Sequence, residues 1–162
     1  MSESQQSSQS VIEKTKRSET AVKRFSEGCN CSQAVLMAFA RRYGLNEAMA
    51  MQMSAGLGGG VGRMGEVCGT LTGAALVLGL EMGPKSNLDR EAKEATYVAT
   101  QLLQKRFIER HGSNRCKDLL NKDLSVATEY QQAKELGLFK TQCPNYVETV
   151  VSLLEQSLEN SE

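Results

Sequence analysis

The sequence has no tryptophan, one histidine, two prolines and only 5 % aromatic residues in 162 positions. A core made from it must rest on alanine, leucine, valine and methionine. The single histidine, His111, rules out a multi-histidine metal site. Neither charge is in excess, with 19 Lys and Arg against 19 Asp and Glu. Nucleic-acid binders carry a basic surplus or a basic face, so no nucleic-acid partner is expected. Long hydrophobic runs are missing as well. The longest, Leu71 to Leu80, meets Glu81 and is too short to cross a bilayer, so no membrane partner is expected either. The amino terminus, MSESQQSSQS, lacks the basic-then-apolar order of a secretory signal. Residues 1–10 read as a disordered polar tail, and the expected location is cytoplasmic.

Convincing strand alternation is absent, while helical periodicity runs through most of the chain. The expectation is an all-α single domain over residues 11–162. Six to eight helices should surround a buried Gly/Ala-rich central helix. The first helix is expected from about Val11 to Ser26, and a second after Asn30. Gly44 reads as a glycine stop, and Asn46 as the cap of a short helix from Glu47 to about Ala55. The central helix is expected from near Glu66 to Met82, where Gly83-Pro84 ends it. Its Gly69, Gly73 and Gly79 would allow close helix contact. Ser86-x-x-Asp89 resembles a capping box before a long helix to Arg110, closed by Gly112. Ser113 is expected to cap a helix through Leu120, and a weaker segment spans Ser125 to Leu136. Cys143-Pro144 opens the last helix, with Val147, Val150, Val151, Leu154 and Leu158 on one buried face.

Seven of the fourteen glycines fall between Gly56 and Gly69. Glycine gives up backbone entropy on folding, so this density needs a reason. One reading is a phosphate cradle, because Gly60 to Gly65 matches G-x-G-x-x-G. That fingerprint needs a preceding strand, and methionine-rich helical sequence stands there instead. No Lys-Ser/Thr follows, so it is not a P-loop. The second reading is that Gly58, Gly59, Gly60 and Gly62 bring backbone close to something held at Cys68.

The cysteines favour the second reading. There are five: Cys29, Cys31, Cys68, Cys116 and Cys143. In a reducing compartment they are not expected as structural disulfides. Cys31, Cys68, Cys116 and Cys143 all fall at predicted helix starts. Free N–H groups and a partial positive charge gather there, which lowers a thiol's pKa and raises its reactivity. Four helix starts meeting at one point would make a sulfur-lined, anion-friendly pocket. The bland alternative is that each cysteine is a small buried hydrophobe. Other residues carry weaker signals. Met49, Met51 and Met53 are expected as flexible core filling, Glu66 as a first-turn acid that complements the helix dipole, and His111 as a helix C-terminal cation. Arg63 is read either as a contact for an anion or as solvated.

The chain resembles the redox-active proteins named for their cysteine pattern, the C_GCAxxG_C_C family. The resemblance rests on Gly28-Cys29-Asn30-Cys31-Ser32-Gln33-Ala34-Val35, the loop Gly56 to Gly65, and Cys68-Gly69-Thr70-Leu71-Thr72-Gly73-Ala74. It continues through Phe107, Gly112-Ser113, Cys116-Lys117-Asp118-Leu119-Leu120 and Cys143-Pro144. That family is similar to the non-haem domain of split-Soret cytochromes, in which cysteines bind an iron–sulfur centre. The resemblance implies that Cys31, Cys68, Cys116 and Cys143 are the redox or ligand set, with Cys29 an extra. Thr70 and Ser32 stand where the family more usually has alanine.

Several functions fit these residues. The first is a redox protein whose dispersed cysteines hold an iron–sulfur cluster for electron transfer with an unknown redox partner protein. A metal-free thiol–disulfide oxidoreductase or redox sensor is the alternative. It has no Cys-x-x-Cys, so its thiols would have to meet across helices. A structural zinc site with four cysteines is chemically sound, but the close cysteine pairs usual for zinc are missing. Last, the cysteines could be packing in an assembly protein, and the apolar helical surfaces are compatible with a homodimer.

Overall fold

Side chains that bond back to the backbone open several of the helices. The computed structural model describes residues 16–160, beginning with helix α1 over residues 16–26. Helix α2, Cys31–Phe39, is opened by a reciprocal capping box. The Asn30 side chain accepts from the Gln33 N–H at 2.9 Å, and Gln33 Oε1 accepts from the Asn30 N–H at 2.9 Å. A 3₁₀ turn, Ala40–Tyr43, follows and ends at Gly44 in the left-handed region. Asn46 caps α3, Glu47–Ser54. A second 3₁₀ turn, Ala55–Leu57, leads into the glycine loop, and α4 covers Gly69–Met82. Helix α5, Arg90–His111, is closed by left-handed Gly112. Short helices α6, Cys116–Leu120, α7, Ala127–Glu135, and α8, Leu138–Thr141, precede α9, Cys143–Glu159.

The fold is all-α, and α4 lies at its centre against α2, α5 and α9. Among the described residues there is no strand, only one antiparallel bridge between Val67 and Arg115. Gly73 explains the tight fit of α4 on α2. A Cβ there would lie 2.8 Å from the Ser32 carbonyl oxygen and 3.1 Å from Val35 Cβ. The interface is dry: Val35, Leu36, Phe39, Ala74, Val77 and Leu78 are all fully buried. Each such large side chain contributes about 1.5–3 kcal/mol of hydrophobic stabilisation. On α9, the five residues expected to form one buried face are all buried.

Several sequence expectations are corrected. The central helix starts at Gly69 rather than near Glu66, because residues 65–68 pair instead with residues 114–117. Gly79 faces open space and makes no close contact. Asp89, not Ser86, caps α5 by accepting from the Ala92 N–H at 3.0 Å. Ser113 is not the N-cap of α6, which Arg115 occupies; its hydroxyl accepts from the Arg115 N–H instead. Met49, Met51 and Met53 are exposed, and α3 buries Ala50 and Ser54 in their place. The polar tail at residues 1–10 and the Val11 start of the first helix lie outside the described residues. No described helix is long and apolar enough to cross a membrane.

Candidate functional site

Four of the cysteines are delivered by four helix starts. The Asn30 capping box fixes Cys31 as the first residue of α2. Cys68 is the N-cap of α4. Cys116 opens α6, and Cys143 opens α9, followed by Pro144. Proline suits this place because a first-turn N–H has no helical partner to lose.

A backbone clip joins two of them. The Cys68 N–H donates to the Asn114 carbonyl at 2.8 Å, and the Cys116 N–H donates to the Glu66 carbonyl at 2.7 Å. The Lys117 N–H donates to the Gly65 carbonyl at 3.0 Å. Outside the clip, the Glu66 carboxylate is paired with Arg115 at 2.8 Å and Lys117 at 3.2 Å, which hold its pKa below the ordinary value. Glu66 therefore ties two loops together and is not the expected first-turn acid.

Two glycines let the other segments approach. A Cβ on Gly69 would lie 2.9 Å from Cys31 Cβ. A Cβ on Gly58 would lie 2.5 Å from Asn30 Cγ, so the glycine loop packs directly on the cap of α2. Asn30 Nδ2 also donates to the Ala55 carbonyl at 2.9 Å. The loop itself turns with the wrong hand. Gly59, Gly60, Val61, Gly62 and Arg63 are consecutive, all with φ between 60° and 74°. This conformation costs a residue with a side chain about 1–2 kcal/mol, so Val61 and Arg63 are strained.

The thiols are near enough to influence one another electrostatically. Cys31 and Cys143 are neighbours, and the nearby Cys143 thiol acts on the titration of Cys31. Cys68 lies within electrostatic reach of Cys31, and Cys116 within reach of both Cys68 and Cys31. In front of them opens a cavity of about 580 Å³, lined by Cys29, Cys31, Cys116 and Cys143. Its walls are apolar, from Phe25, Leu120, Leu124, Tyr130 and Phe139. Gly58, Gly59, Gly62 and Arg63 form its rim. Gly60 is not on the rim, because it packs beneath the Glu66 backbone. Cys68 sits behind the cavity, buried.

Electrostatics overturns the expected low pKa. Burial pushes Cys68 up to about 12, assisted by Cys31, although the Thr70 hydroxyl and the Thr70 and Leu71 N–H groups pull it down. The helix start thus acts in the expected direction and loses to desolvation. Burial and the neighbouring Cys68 and Cys31 push Cys116 up to about 12. The contact with Cys143 and then burial raise Cys31 well above its ordinary value. Burial also raises Cys29, against the pull of Arg24.

Sequence reasoning missed two residues. Thr70 Oγ1 is 3.1 Å from Cys68 Sγ in a fully buried position. Its signal was the departure from alanine at that position. Tyr146 is one helical turn beyond Cys143, and its hydroxyl donates to the Leu119 carbonyl at 3.2 Å. Burial, then Cys143, Cys68 and Cys116, raise its pKa. The i, i+3 spacing from Cys143 could have revealed it. His111 meets the Tyr146 ring edge-on at 4.9 Å and lies 3.0 Å from Thr149 Oγ1. Burial lowers its pKa, so the expected cation at the end of α5 is disfavoured. Arg63 stacks 4.4 Å from the centre of the Tyr130 ring.

No curated protein and no solved structure matches the chain. Residues 29–157 match the family described as putative redox-active protein (C_GCAxxG_C_C), and the chain belongs to that family.

Proposed function

We propose that Cys31, Cys68, Cys116 and Cys143 act together as a one-electron redox centre by holding an iron–sulfur cluster. The observation that carries this reading is the convergence of four thiols from four distant segments behind one cavity. The donor set fits the group, since such clusters are held by cysteine sulfur. Burial and mutual proximity make free thiolates at Cys31, Cys68 and Cys116 unfavourable here, and a cationic centre among them would relieve that repulsion. When bound, the cluster supplies one-electron transfer at a potential that hydrogen bonds to the sulfurs adjust. Thr70 is placed to give such a bond to Cys68. Asn30, the 65–68/114–117 clip and Pro144 keep the sulfurs in position, and the apolar walls limit water.

Among the described residues no three His, Cys, Asp or Glu side chains are gathered closely enough for a single ion. That weighs against a structural zinc, whose ligands must meet about one point at roughly 2.0–2.3 Å. A cluster spreads its sulfurs over separate irons and asks for less.

A second reading is favoured by the Cys31–Cys143 contact. The two thiols can form a disulfide by exchange with a partner disulfide, which takes up the two electrons and two protons and leaves as two thiols. One set of assays separates the readings: iron, zinc and acid-labile sulfide per chain on protein purified without oxygen, followed by a free-thiol count. The expected result is stoichiometric iron and sulfide, lost when any of the four cysteines becomes serine. Absence of both, with two thiols reversibly lost on mild oxidation and none lost in Cys31→Ser, would move the function to the dithiol pair.

A further inference from the structure

We infer that the cavity in front of the cysteines is a binding site for a small molecule with one anionic end and a flat apolar body. Arg63 would take the anionic end. Three independent observations point there. The cavity, about 580 Å³, lies within the range typical of small-molecule sites. Its walls are apolar and aromatic, with Arg63 the only charged side chain among the lining residues. Among the described residues the Arg63 guanidinium meets no carboxylate. The nearby acid, Glu66, is already engaged by Arg115 and Lys117.

The backbone gives the third observation. Arg63 has φ 63°, the last of five consecutive left-handed residues. Strain of this kind persists where the surroundings impose it, and it concentrates at ligand sites. Here it turns the side chain over Tyr130, 4.4 Å from the ring centre, at the edge of the cavity. The stack leaves the guanidinium's N–H donors available for planar recognition of a carboxylate or similar oxyanion. The bound molecule would then lie against Cys29, Cys116 and Cys143. That it is the substrate of the redox centre rests on the proposed function; that it binds does not.

The test is calorimetric titration of the full chain, purified without oxygen, with 2-naphthoate and with its neutral counterpart 2-naphthamide. One naphthoate per chain is expected, with naphthamide bound about tenfold to a hundredfold more weakly, the span of a charge-assisted hydrogen bond. Arg63→Asn and Arg63→Gly should weaken naphthoate by a similar factor and leave naphthamide unchanged. Both substitutions suit a left-handed backbone, so neither is expected to disturb the fold. Naphthoate should also slow labelling of Cys29 by iodoacetamide in the wild type. Absence of saturable naphthoate binding, equal affinity for the two probes, or naphthoate binding indifferent to both substitutions would each overturn the site. The wild-type comparison stands even if both variants misfold. Naphthoate binding in protein that has neither iron and sulfide nor a reversible dithiol would keep the site and remove the redox reading. The opposite pattern would remove only the site.

Discussion

Glycine serves two opposite purposes in the two halves of this molecule. In the α2–α4 interface Gly73 has ordinary helical backbone, and its missing Cβ lets two helices touch. In the loop before Cys68, Gly59, Gly60 and Gly62 supply left-handed backbone around a cavity. The first region is dry, apolar and closely packed. The second is open, strained and rimmed by glycine backbone and Arg63. Stability is concentrated in the first and the candidate site lies in the second, and Gly69, whose absent Cβ faces Cys31, lies where they join.

The sharpest way to test that division is to make the same truncation on both sides. Phe39→Ala in the dry interface should cost about 3–5 kcal/mol, the usual range for a fully buried phenylalanine. Phe139→Ala on the cavity wall is only half-buried and should cost less than half as much. Chemical denaturation reads both, and equal losses would break the comparison.

Next in size is the pH dependence of the metal-free protein. Cys68 and Cys116 stay protonated in the folded state up to about pH 12, whereas unfolded thiols ionise near their ordinary value. Between those limits the unfolded state binds fewer protons, so stability falls as pH rises. The expected slope is about 1.4 kcal/mol per pH unit for each thiol. Denaturant curves at pH 8 and pH 10 should show the loss, and Cys68→Ser or Cys116→Ser should each remove one thiol's share of it, with Cys31 and Cys29 adding theirs in both variants. A flat profile would mean that the thiols are not desolvated.

Gly69→Ala sharpens the boundary between the regions. The new methyl group would press on Cys31 Cβ, for a cost of about 1–3 kcal/mol. Loss of iron and sulfide, or of the Cys31–Cys143 pair, should be more severe than the fall in melting temperature. Thr70→Val keeps the shape and removes the hydroxyl beside Cys68 Sγ. Stability should change by about 1 kcal/mol, and the midpoint potential of the proposed cluster should fall because the sulfur loses a donor. Smallest of all, Glu66→Gln should barely move stability, because the Arg115 and Lys117 pairs are exposed. The backbone bonds of the clip remain in that variant.

Features that depend on neighbours in sequence were legible without a structure. The Asn30 and Asn46 caps, the Gly44 and Gly112 stops and the buried face of α9 all follow from side-chain chemistry within one or two helical turns. The cysteines could be placed at helix starts for the same reason. Features set by distant partners were not legible. Helix α4 starts later than periodicity alone indicates because the Glu66 backbone bonds to a segment about fifty residues later. The thiol pKa values went the wrong way because burial depends on what covers the sulfur, and periodicity does not report that. The α3 methionines look like core residues by composition, yet the packing leaves them outside.

The dispersal of the four cysteines has a consequence in time. They come from the beginning, the middle and the end of the chain, so no fragment that lacks α9 contains the whole site. Contacts of such long sequence separation are slow to form and arrive late in folding. While the chain is being synthesised, Cys31 must wait for nearly all the rest before it meets Cys143. The centre is thus a report on completed folding, and a chain truncated before α9 would carry reactive thiols with nowhere to go.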